Sequence, residues 1–337
     1  MNIRENIPIK DLTTMRLGGP ARFVIAIEHA EECTEAFGFV KEKGLPFYFL
    51  GAGANSLGLD TGFDGALILN QIKGIEILQE SENVLIVKAG GGEIWDDFVQ
   101  FVVSKNFSGV EAMAKIPGTV GAAPVQNIGA YGQEAKDTLE SVEVYDSLLD
   151  EYKEIMAKDC DFAYRHSIFN SGKDKGRYFI LSATFKFTEH QLKQPFYNSL
   201  QAYLDEHHIA DYSPKSVYDA VAEIRKNKLP DPAKEASAGS FFKNIILDEP
   251  PKNKDIPYRE TKDGKFKVNT GWLLENAGLK GKTFHGFKVS DKAALILINE
   301  SGETYEDLQR AVTEIQKIIK DKYGLALEPE PVKIEAD

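Results

Sequence analysis

The stretch AKIPGTVGAAPVQNIGAYG, residues 114–132, is the most distinctive segment of this sequence. Glycine, alanine and proline dominate it, so it predicts a loop with short helical turns. Small residues let a bound molecule approach the backbone closely, and the interleaved Thr119, Gln126 and Asn127 supply hydrogen-bonding groups. The segment therefore favours a cofactor-binding loop over the alternative, a tight packing loop.

A second small-residue loop, GAGANS at residues 51–56, follows a predicted strand at Pro46–Leu50. Its pattern is GxGxxS, and Gly58 and Gly62 after it indicate an extended loop rather than a helix. The dinucleotide-binding fingerprint requires a helix at this point, so that interpretation fails. Two alternatives remain open: a turn between strands, or a loop whose backbone N–H groups approach a pyrophosphate.

Strands and helices are mixed around these loops, which predicts an α+β chain. Residues 21–70 have a strand–helix–strand pattern, and residues 75–90 have the pattern of a β-hairpin. Two prolines and several small residues mark residues 228–239 as a linker. The spacing of apolar residues after Thr304 predicts a long helix that Gly324 ends.

Charge and composition exclude several classes of function. The 337 residues include 40 basic and 52 acidic side chains, a net charge of −12 that disfavours binding to nucleic acid or anionic membranes. Two cysteines and six histidines show no metal-ligand spacing, so no metal site is predicted. With no apolar leader or run of 18 apolar residues, we expect a cytoplasmic protein.

Three further motifs are each compatible with an ordinary structural role. YRHS (164–167) could be a polar strand edge, and GSFFKN (239–244) could be a strand with a buried phenylalanine. LEPEP (327–331) could be a solvated acidic tail.

Considered with the two loops, these motifs resemble the bacterial UDP-N-acetylenolpyruvoylglucosamine reductase (MurB) family over nearly the whole chain. The matching blocks are TTMRLGGPA (13–21), LGAGANSL (50–57), IPGTVGAAPVQNIGAYGQE (116–134), CDFAYRHSIF (160–169), KLPDP (228–232), AGSFFKN (238–244), GWLLENAGLKG (271–281), ALILIN (294–299) and LEPE (327–330).

The resemblance implies a vanillyl-alcohol-oxidase-like (PCMH-type) FAD-binding fold in two subdomains, followed by a C-terminal α+β substrate-binding subdomain. We expect the first FAD-binding subdomain at 1–72 and the second at 73–228, joined by 325–337. The UDP-sugar-binding subdomain is expected at 229–324.

The resemblance also implies the activity. Members of the family use non-covalently bound FAD and the co-substrate NADPH to reduce UDP-N-acetylglucosamine enolpyruvate to UDP-N-acetylmuramate, a peptidoglycan precursor. Hydride passes from reduced FAD to the enolpyruvyl group, the enolate needs electrostatic stabilisation, and a proton follows. By matching motifs, the catalytic residues are Arg165, Ser240 as the proton donor, and Glu330.

The other expected site residues also follow from the family motifs. The cofactor-binding residues are Gly51, Ala52, Gly53, Ala54, Asn55, Ser56, Pro117, Gly118, Thr119, Gly121, Gln126, Asn127, Ile128, Gly129 and Arg225. The substrate-binding residues are Tyr164, Tyr197, Lys228, Lys243, Asn244 and Lys280. Tyr197 lies 32 residues after Arg165 and so indicates the type of the family (type I) whose tyrosine-bearing loop covers the substrate; a core tyrosine is the alternative.

Some positions depart from the family pattern. Ala54 removes a hydroxyl that could bind an FAD phosphate, Ser290 stands where histidine is usual, and Pro331 stands where many members have valine. Two rival functions are another FAD-dependent oxidoreductase of the same fold and a non-catalytic nucleotide-sugar sensor. The presence of Arg165, Ser240 and Glu330 favours the reductase, for which we expect a monomer.

Overall fold

In the computed structural model, which describes residues 1–194, 196–231, 234–261 and 264–336, the first 70 residues form a four-stranded sheet and a helix. Their elements are β1 (Asn2–Pro8), β2 (Pro20–Ile27), α1 (Glu32–Glu42), β3 (Phe47–Leu50), β4 (Ser56–Leu57) and β5 (Phe63–Asn70). The sheet order is β1-β2-β5-β3, with β2, β5 and β3 parallel. The predicted strand–helix–strand pattern is thereby confirmed.

The next part of the chain is a five-stranded antiparallel sheet with helices on one side. Its elements are β6 (Ile75–Glu80), β7 (Leu85–Gly90), α2 (Trp95–Ser104), β8 (Gly129–Ala130), β9 (Gln133–Glu134), β10 (Leu139–Asp146), β11 (Glu151–Met156), β12 (Tyr178–Phe187), α3 (Asn198–Glu206) and α4 (Pro214–Lys228). The sheet order is β11-β10-β12-β7-β6. The largest core packs α2 and α4 against this sheet, with Trp95, Phe98 and Val221 fully buried.

The rest of the chain forms a second α+β unit. Its elements are β13 (Ala236–Ser240), β14 (Ile245–Leu247), β15 (Tyr258–Glu260), β16 (Phe266–Val268), α5 (Thr270–Asn276), β17 (Thr283–Phe284), β18 (Phe287–Val289), β19 (Ile296–Asn299) and α6 (Tyr305–Tyr323). The last strand, β20 (Val332–Lys333), lies outside this unit. Helix α6 buries Leu308, Ile315 and Ile319 against this unit, and Gly324 ends it at φ 71°, as the spacing predicts.

Two local predictions need correction. The sequence predicts one strand over 241–246, whereas β13 ends at Ser240 and β14 begins at Ile245. Between them, the N–H of Phe241 donates to the carbonyl of Leu295 at 2.8 Å and that of Lys243 donates to the carbonyl of Glu328 at 2.9 Å, so residues 241–244 bond to two different segments and do not continue one strand. The linker is also shorter than 228–239, because α4 reaches Lys228 and β13 begins at Ala236. Residues 232 and 233 of that linker lie outside the described residues.

The sequence predicts that the C-terminal segment 325–337 joins the second subdomain, to which it bonds through Glu330 and Arg165, and this assignment stays a prediction. Strand β20 pairs in parallel with β4 of the first subdomain. The N–H of Val332 donates to the carbonyl of Asn55 at 2.9 Å, and that of Ile334 donates to Leu57 at 2.9 Å. Ile334 is fully buried in the core beside β5, so apolar burial reinforces this pairing.

The described part of the chain contains no helix long and apolar enough to cross a lipid bilayer. The remaining domain boundaries stay predictions.

One contact joins the first subdomain to the N-terminus of α6. The Asp60 carboxylate accepts hydrogen bonds from the N–H groups of Tyr305 at 2.6 Å and Glu306 at 3.1 Å. Both N–H groups belong to the first turn of the helix, where no helical carbonyl is available. Asp60 therefore supplements the N-cap Thr304, which accepts from the N–H of Asp307.

We expect Asp60→Ala to lower the free energy of unfolding by about 1 kcal/mol, because it removes a capping carboxylate at a helix N-terminus. Urea unfolding measures the change. Asp64→Ala is the matched control, since Asp64 makes an exposed ion pair with Arg22 and exposed pairs contribute little. Equal effects of the two substitutions would contradict the capping role.

Candidate active site

The two small-residue loops line the same cavity, which has a volume of about 470 Å³. Residues 51–56 leave the end of β3 on one side, and residues 117–126 supply much of the other. A Cβ on Gly51 would stand 3.1 Å from the Thr119 hydroxyl oxygen, so the two loops approach within van der Waals contact. The interpretation of residues 51–56 as a simple turn between strands is therefore incomplete.

Glycine is required where this loop turns at residue 53. Gly53 has φ 65°, and a Cβ there would lie 2.0 Å from the carbonyl oxygen of Leu12. No side chain can be accommodated against a backbone atom at that distance. The loop therefore keeps its shape through close backbone packing on residues 12–14, where the N–H of Thr14 donates to the carbonyl of Gly53 at 3.1 Å.

The cavity wall suits a polar, extended cofactor such as FAD. The Thr119 hydroxyl is buried and has no hydrogen-bond partner among the described residues, although it lines the cavity. Buried polar groups are normally satisfied, so this orphaned hydroxyl fits a hydrogen bond to a ligand. The Asn55 side-chain amide donates to Oε1 of the Gln126 side chain at 3.1 Å, and this hydrogen bond joins the two loops.

Twelve of the fifteen predicted cofactor residues line the cavity. They are Gly51, Ala52, Gly53, Ala54, Asn55, Ser56, Pro117, Gly118, Thr119, Gly121, Gln126 and Ile128. Asn70, which the sequence interpretation missed, also lines it and donates to the carbonyl of Ile180 at 2.6 Å.

The structure places Asn127, Gly129 and Arg225 outside the lining that the described residues form. The fully buried Asn127 amide donates to Glu134 at 3.0 Å and to the carbonyl of Ala163 at 3.2 Å. It therefore braces the loop from behind. The guanidinium of Arg225 donates to the carbonyl of Lys115 at 3.3 Å.

An ion pair between Arg165 and Glu330 also lines the cavity. The Arg165 Nε–H donates to Glu330 Oε1 at 2.6 Å, and the two side chains are only 17% and 7% exposed. Arg165 stands at φ 57° in a tight bend, where its carbonyl accepts a hydrogen bond from the Asn170 amide at 3.1 Å. The chain thus joins groups 165 residues apart in sequence.

Burial raises the pKa of the Glu330 carboxyl, and the cations Arg165, Lys243 and Lys267 partly oppose that rise. Desolvation disfavours the charged carboxylate, whereas nearby positive charge favours it. The site therefore holds a carboxyl whose proton affinity depends strongly on its neighbours. Such a group can hold or relay a proton beside a developing anion.

Ser240 is linked to the Arg165–Glu330 pair through the backbone. It ends β13, directly after Gly239 at φ 69°, where the pairing with β19 shifts register. The next carbonyl, that of Phe241, accepts the N–H of Glu330 at 2.8 Å. Ser240 is half-buried, and it is not part of the cavity wall formed by the described residues.

Some predicted substrate residues gather on the C-terminal side of the cavity. Lys243 lines it, and the Asn244 amide donates to the Tyr164 hydroxyl at 3.4 Å. The Tyr164 ring contacts two cations, with the Arg165 guanidinium 5.2 Å and the Lys267 ammonium 4.0 Å from its centre. Three cations thus gather on this side, of which Arg165 pairs with Glu330 and Lys243 with Glu328.

Lys267 is a residue that the sequence interpretation missed. Burial, and next the charge of Arg165, lower the pKa of its ammonium group. It lies in the short strand β16, and nothing in the local sequence KFKV distinguishes it from an ordinary strand lysine. Only the packing of β16 over Tyr164 reveals its proximity to the site.

The other predicted substrate residues lie farther out. Lys228 and Lys280 are exposed, and Lys280 forms an ion pair with Glu275 at 3.1 Å. Tyr197 is 45% exposed, and its ring meets that of Tyr131 edge-on with centres 5.8 Å apart. Tyr197 is therefore not a core tyrosine, and it does not line the cavity formed by the described residues. Its role in covering the substrate stays a prediction.

The chain matches two family models and many full-length proteins. Residues 21–148 match the FAD binding domain, and residues 231–334 match the C-terminal domain of UDP-N-acetylenolpyruvoylglucosamine reductase. The reductase of that name from Ralstonia nicotianae is 37% identical over 97% of this chain and 98% of its own length. Its namesake from Flavobacterium johnsoniae is 36% identical over 98% of this chain and 99% of its own.

A solved structure shares the fold. The UDP-N-acetylenolpyruvylglucosamine reductase of Thermus caldophilus aligns with a TM-score of 0.67 and 24% identity, over 98% of this chain and 99% of that one. Together with the FAD binding domain model, this alignment confirms the predicted FAD-binding fold with a C-terminal α+β unit.

We expect Arg165→Ala to cost about 3 kcal/mol of unfolding free energy near pH 8, because it leaves a buried carboxylate without its partner. Loss of the cation raises the pKa of Glu330 further. Folding then favours the protonated carboxyl, so the deficit is smallest at low pH and grows as pH rises through that pKa.

Urea unfolding at several pH values measures this trend. The double variant Arg165→Ala/Glu330→Gln should recover much of the loss and flatten its pH dependence, since the amide carries no charge. A deficit that is independent of pH in both variants would contradict the electrostatic explanation.

Proposed function

Since this chain belongs to the UDP-N-acetylenolpyruvoylglucosamine reductase family, we propose that it reduces UDP-N-acetylglucosamine enolpyruvate to UDP-N-acetylmuramate for peptidoglycan synthesis. In this role it is a UDP-N-acetylmuramate dehydrogenase, a flavin oxidoreductase acting on a carbon–carbon bond with NADPH as co-substrate. The observation that carries the proposal is the Arg165–Glu330 pair on a cavity lined by two small-residue loops.

The residues fit FAD as the resident cofactor. When bound, FAD supplies a hydride acceptor for NADPH and a hydride donor for the enolpyruvyl double bond. The backbone of residues 51–56 and the hydroxyl of Thr119 provide polar contacts, while Gly51 and Gly121 leave room for close approach. The sequence shows no cysteine or histidine in a recognisable flavin-linking motif, so we propose non-covalent binding.

Arg165 binds the carboxylate of the enolpyruvyl group and stabilises the enolate that develops beside it. Its Nε–H is bonded to Glu330, and the terminal nitrogens of the same planar fork suit a second carboxylate. Glu330 keeps the guanidinium in position and contributes to the proton balance of the site. Preorganised charge of this kind costs no rearrangement when the enolate forms.

Ser240 supplies the proton to the substrate carbon in this proposal. A serine hydroxyl is a weak acid, so it needs nearby positive charge or a hydrogen-bonded chain to lower the cost of proton transfer. The backbone bond between Phe241 and Glu330 holds Ser240 beside the segment that carries Glu330. Arg165 and Lys267, which both interact with Glu330, supply positive charge there.

Binding of the UDP diphosphate requires local cations, because the whole chain carries a net charge of −12. We assign this role to Lys243, with Asn244 and Tyr164 near it, and to the exposed Lys228 and Lys280. Lys243 pairs with Glu328 in the structure, so diphosphate binding would replace an exposed carboxylate by a doubly charged group. Cytoplasmic location and a monomeric state are part of the same proposal.

Purified protein should be yellow and contain about one FAD per chain. Acid precipitation should release all of the colour into the supernatant, because the proposed contacts are hydrogen bonds and packing. Absorbance of the supernatant and of the redissolved pellet measures the distribution. Colour that stays with the denatured chain would contradict non-covalent binding, and colourless protein that takes up no FAD would contradict the proposed function.

Ser240→Ala should separate the two halves of the reaction. Reduction of the bound flavin by NADPH should stay close to the wild-type rate, because that step protonates no substrate carbon. Reoxidation by the enolpyruvyl sugar should slow by about 100-fold or more, as expected for a lost general acid. Stopped-flow absorbance of the flavin follows each step separately.

Ser237→Ala is the matched control, because the buried Ser237 lies in the same strand before the register shift. It should leave both rates within about threefold of wild type. Slower flavin reduction with normal reoxidation in Ser240→Ala would contradict the assigned role. Reduction of the oxidised flavin by an alcohol or hydroxy acid, with no reoxidation of the reduced flavin by the sugar, would instead indicate the rival flavoenzyme.

A further inference from the structure

Asp96, in the first turn of α2, is hydrogen-bonded to Lys115, which lies two residues before the cavity wall begins at Pro117. Its Oδ1 accepts the backbone N–H of Lys115 at 2.6 Å, and its Oδ2 accepts the Lys115 ammonium at 2.7 Å. The side chain of Asp96 is only 13% exposed, whereas that of Lys115 is 49% exposed. The sequence interpretation gave no role to either residue.

Lys115 is a demanding position for the backbone. It stands at φ 58°, a conformation that residues with a side chain seldom adopt. Two residues later Pro117 enters the cavity wall, which continues through Gly118 and Thr119. The backbone conformation of Lys115 therefore sets the direction in which the chain enters the cavity wall. The Asp96 carboxylate accepts the N–H of that residue.

Helix α4 contacts the same residues from a second side. The Tyr218 hydroxyl donates to the Asp96 carboxylate, with distances of 3.2 and 3.1 Å to its two oxygens. The Arg225 guanidinium donates to the carbonyl of Lys115 at 3.3 Å. Both backbone groups of Lys115 are thus hydrogen-bonded to side chains of long helices.

Downstream contacts show that the segment follows the N-terminus of α2. The N–H of Trp95 donates to the carbonyl of Gly118 at 3.1 Å, and the N–H of Val120 donates to the carbonyl of Glu93 at 2.8 Å. Residues 115–120 are therefore fixed to residues 93–96 by backbone bonds at one end and by the Asp96 carboxylate at the other.

We propose that Asp96 is a positioning residue for FAD, acting through the backbone of Lys115 to fix the cavity wall at residues 117–121. The proposal rests on the proposed function, because it requires FAD in this cavity. Asp96 does not line the cavity among the described residues, so its effect on the cofactor is exerted through the segment.

The proposal distinguishes the bond to the backbone N–H from the ion pair. An asparagine at position 96 can still accept the N–H of Lys115 and the Tyr218 hydroxyl, but it loses the ion pair with the Lys115 ammonium. Because that ammonium is half exposed, the ion pair itself contributes little. Alanine at position 96 loses every one of these contacts.

The experiment measures the Kd of FAD by fluorescence recovery on serial dilution of the holoprotein. We expect Asp96→Ala to weaken FAD binding about tenfold or more and to alter the fine structure of the visible flavin band. Asp96→Asn and Lys115→Ala should stay within about threefold of wild type with an unchanged band. Asp97→Ala, which removes an exposed carboxylate from the same helical turn, is the matched control and should behave as wild type.

Each outcome decides between the alternatives. Equal FAD affinity in wild type and Asp96→Ala would overturn the positioning role alone, as would an equal loss in Asp96→Asn and Asp96→Ala. Wild-type protein that binds no FAD would overturn the proposed function and this inference with it. If Asp96→Ala yields no folded protein, Tyr218→Phe should raise the Kd of FAD above that of the Asp97→Ala control by more than about threefold, and equal Kd values in the two variants would overturn the proposal.

Discussion

The parallel pairing of β20 with β4 is the contact on which the arrangement of this protein depends. It attaches the end of the chain to the loop that begins at Gly51, and it follows Glu330 by only two residues. Just before it, the carbonyl of Phe241 accepts the N–H of Glu330, so the same segment is bonded to the C-terminal unit. One short stretch therefore connects the loop at 51–56, the Glu330 carboxylate and the strand that ends at Ser240.

This attachment explains how a buried carboxylate is tolerated. Burial raises the pKa of Glu330, and desolvating a lone carboxylate would cost several kcal/mol. Arg165 offsets that cost, but only if the two segments that carry Arg165 and Glu330 are held at bonding distance. The positive φ of Arg165 and the two-sided bonding of residues 328–334 provide that restraint. The same electrostatic balance that stabilises the pair makes it suitable for stabilising an enolate.

The cofactor loops follow a different physical rule. Their shape depends on the absence of side chains, as at Gly53, and on bonds from neighbouring helices to backbone groups. The Asp96 carboxylate and the Arg225 guanidinium both act on Lys115, although neither lines the cavity. Flavin affinity is therefore expected to depend on residues that make no contact with the flavin.

The sequence by itself predicted many of the local elements and the two loops that line the cavity. The apolar spacing of α6, the position of Thr304 at its start, and the two small-residue loops are all local signals. The ordered blocks of motifs, considered together, were also sufficient to indicate the family, since they carry that information without a structure.

Tertiary structure alone decided which separated groups meet. The pairing of β20 with β4, the position of Lys267 over Tyr164 and the bonds of Asp96 to Lys115 link residues that no local pattern relates. It also divided the predicted strand at 241–246, because the backbone of Phe241 bonds to Leu295 and that of Lys243 to Glu328, two segments that are distant in sequence. Periodicity reports only the neighbours of a residue along its own helix or strand, whereas these contacts depend on how whole elements pack.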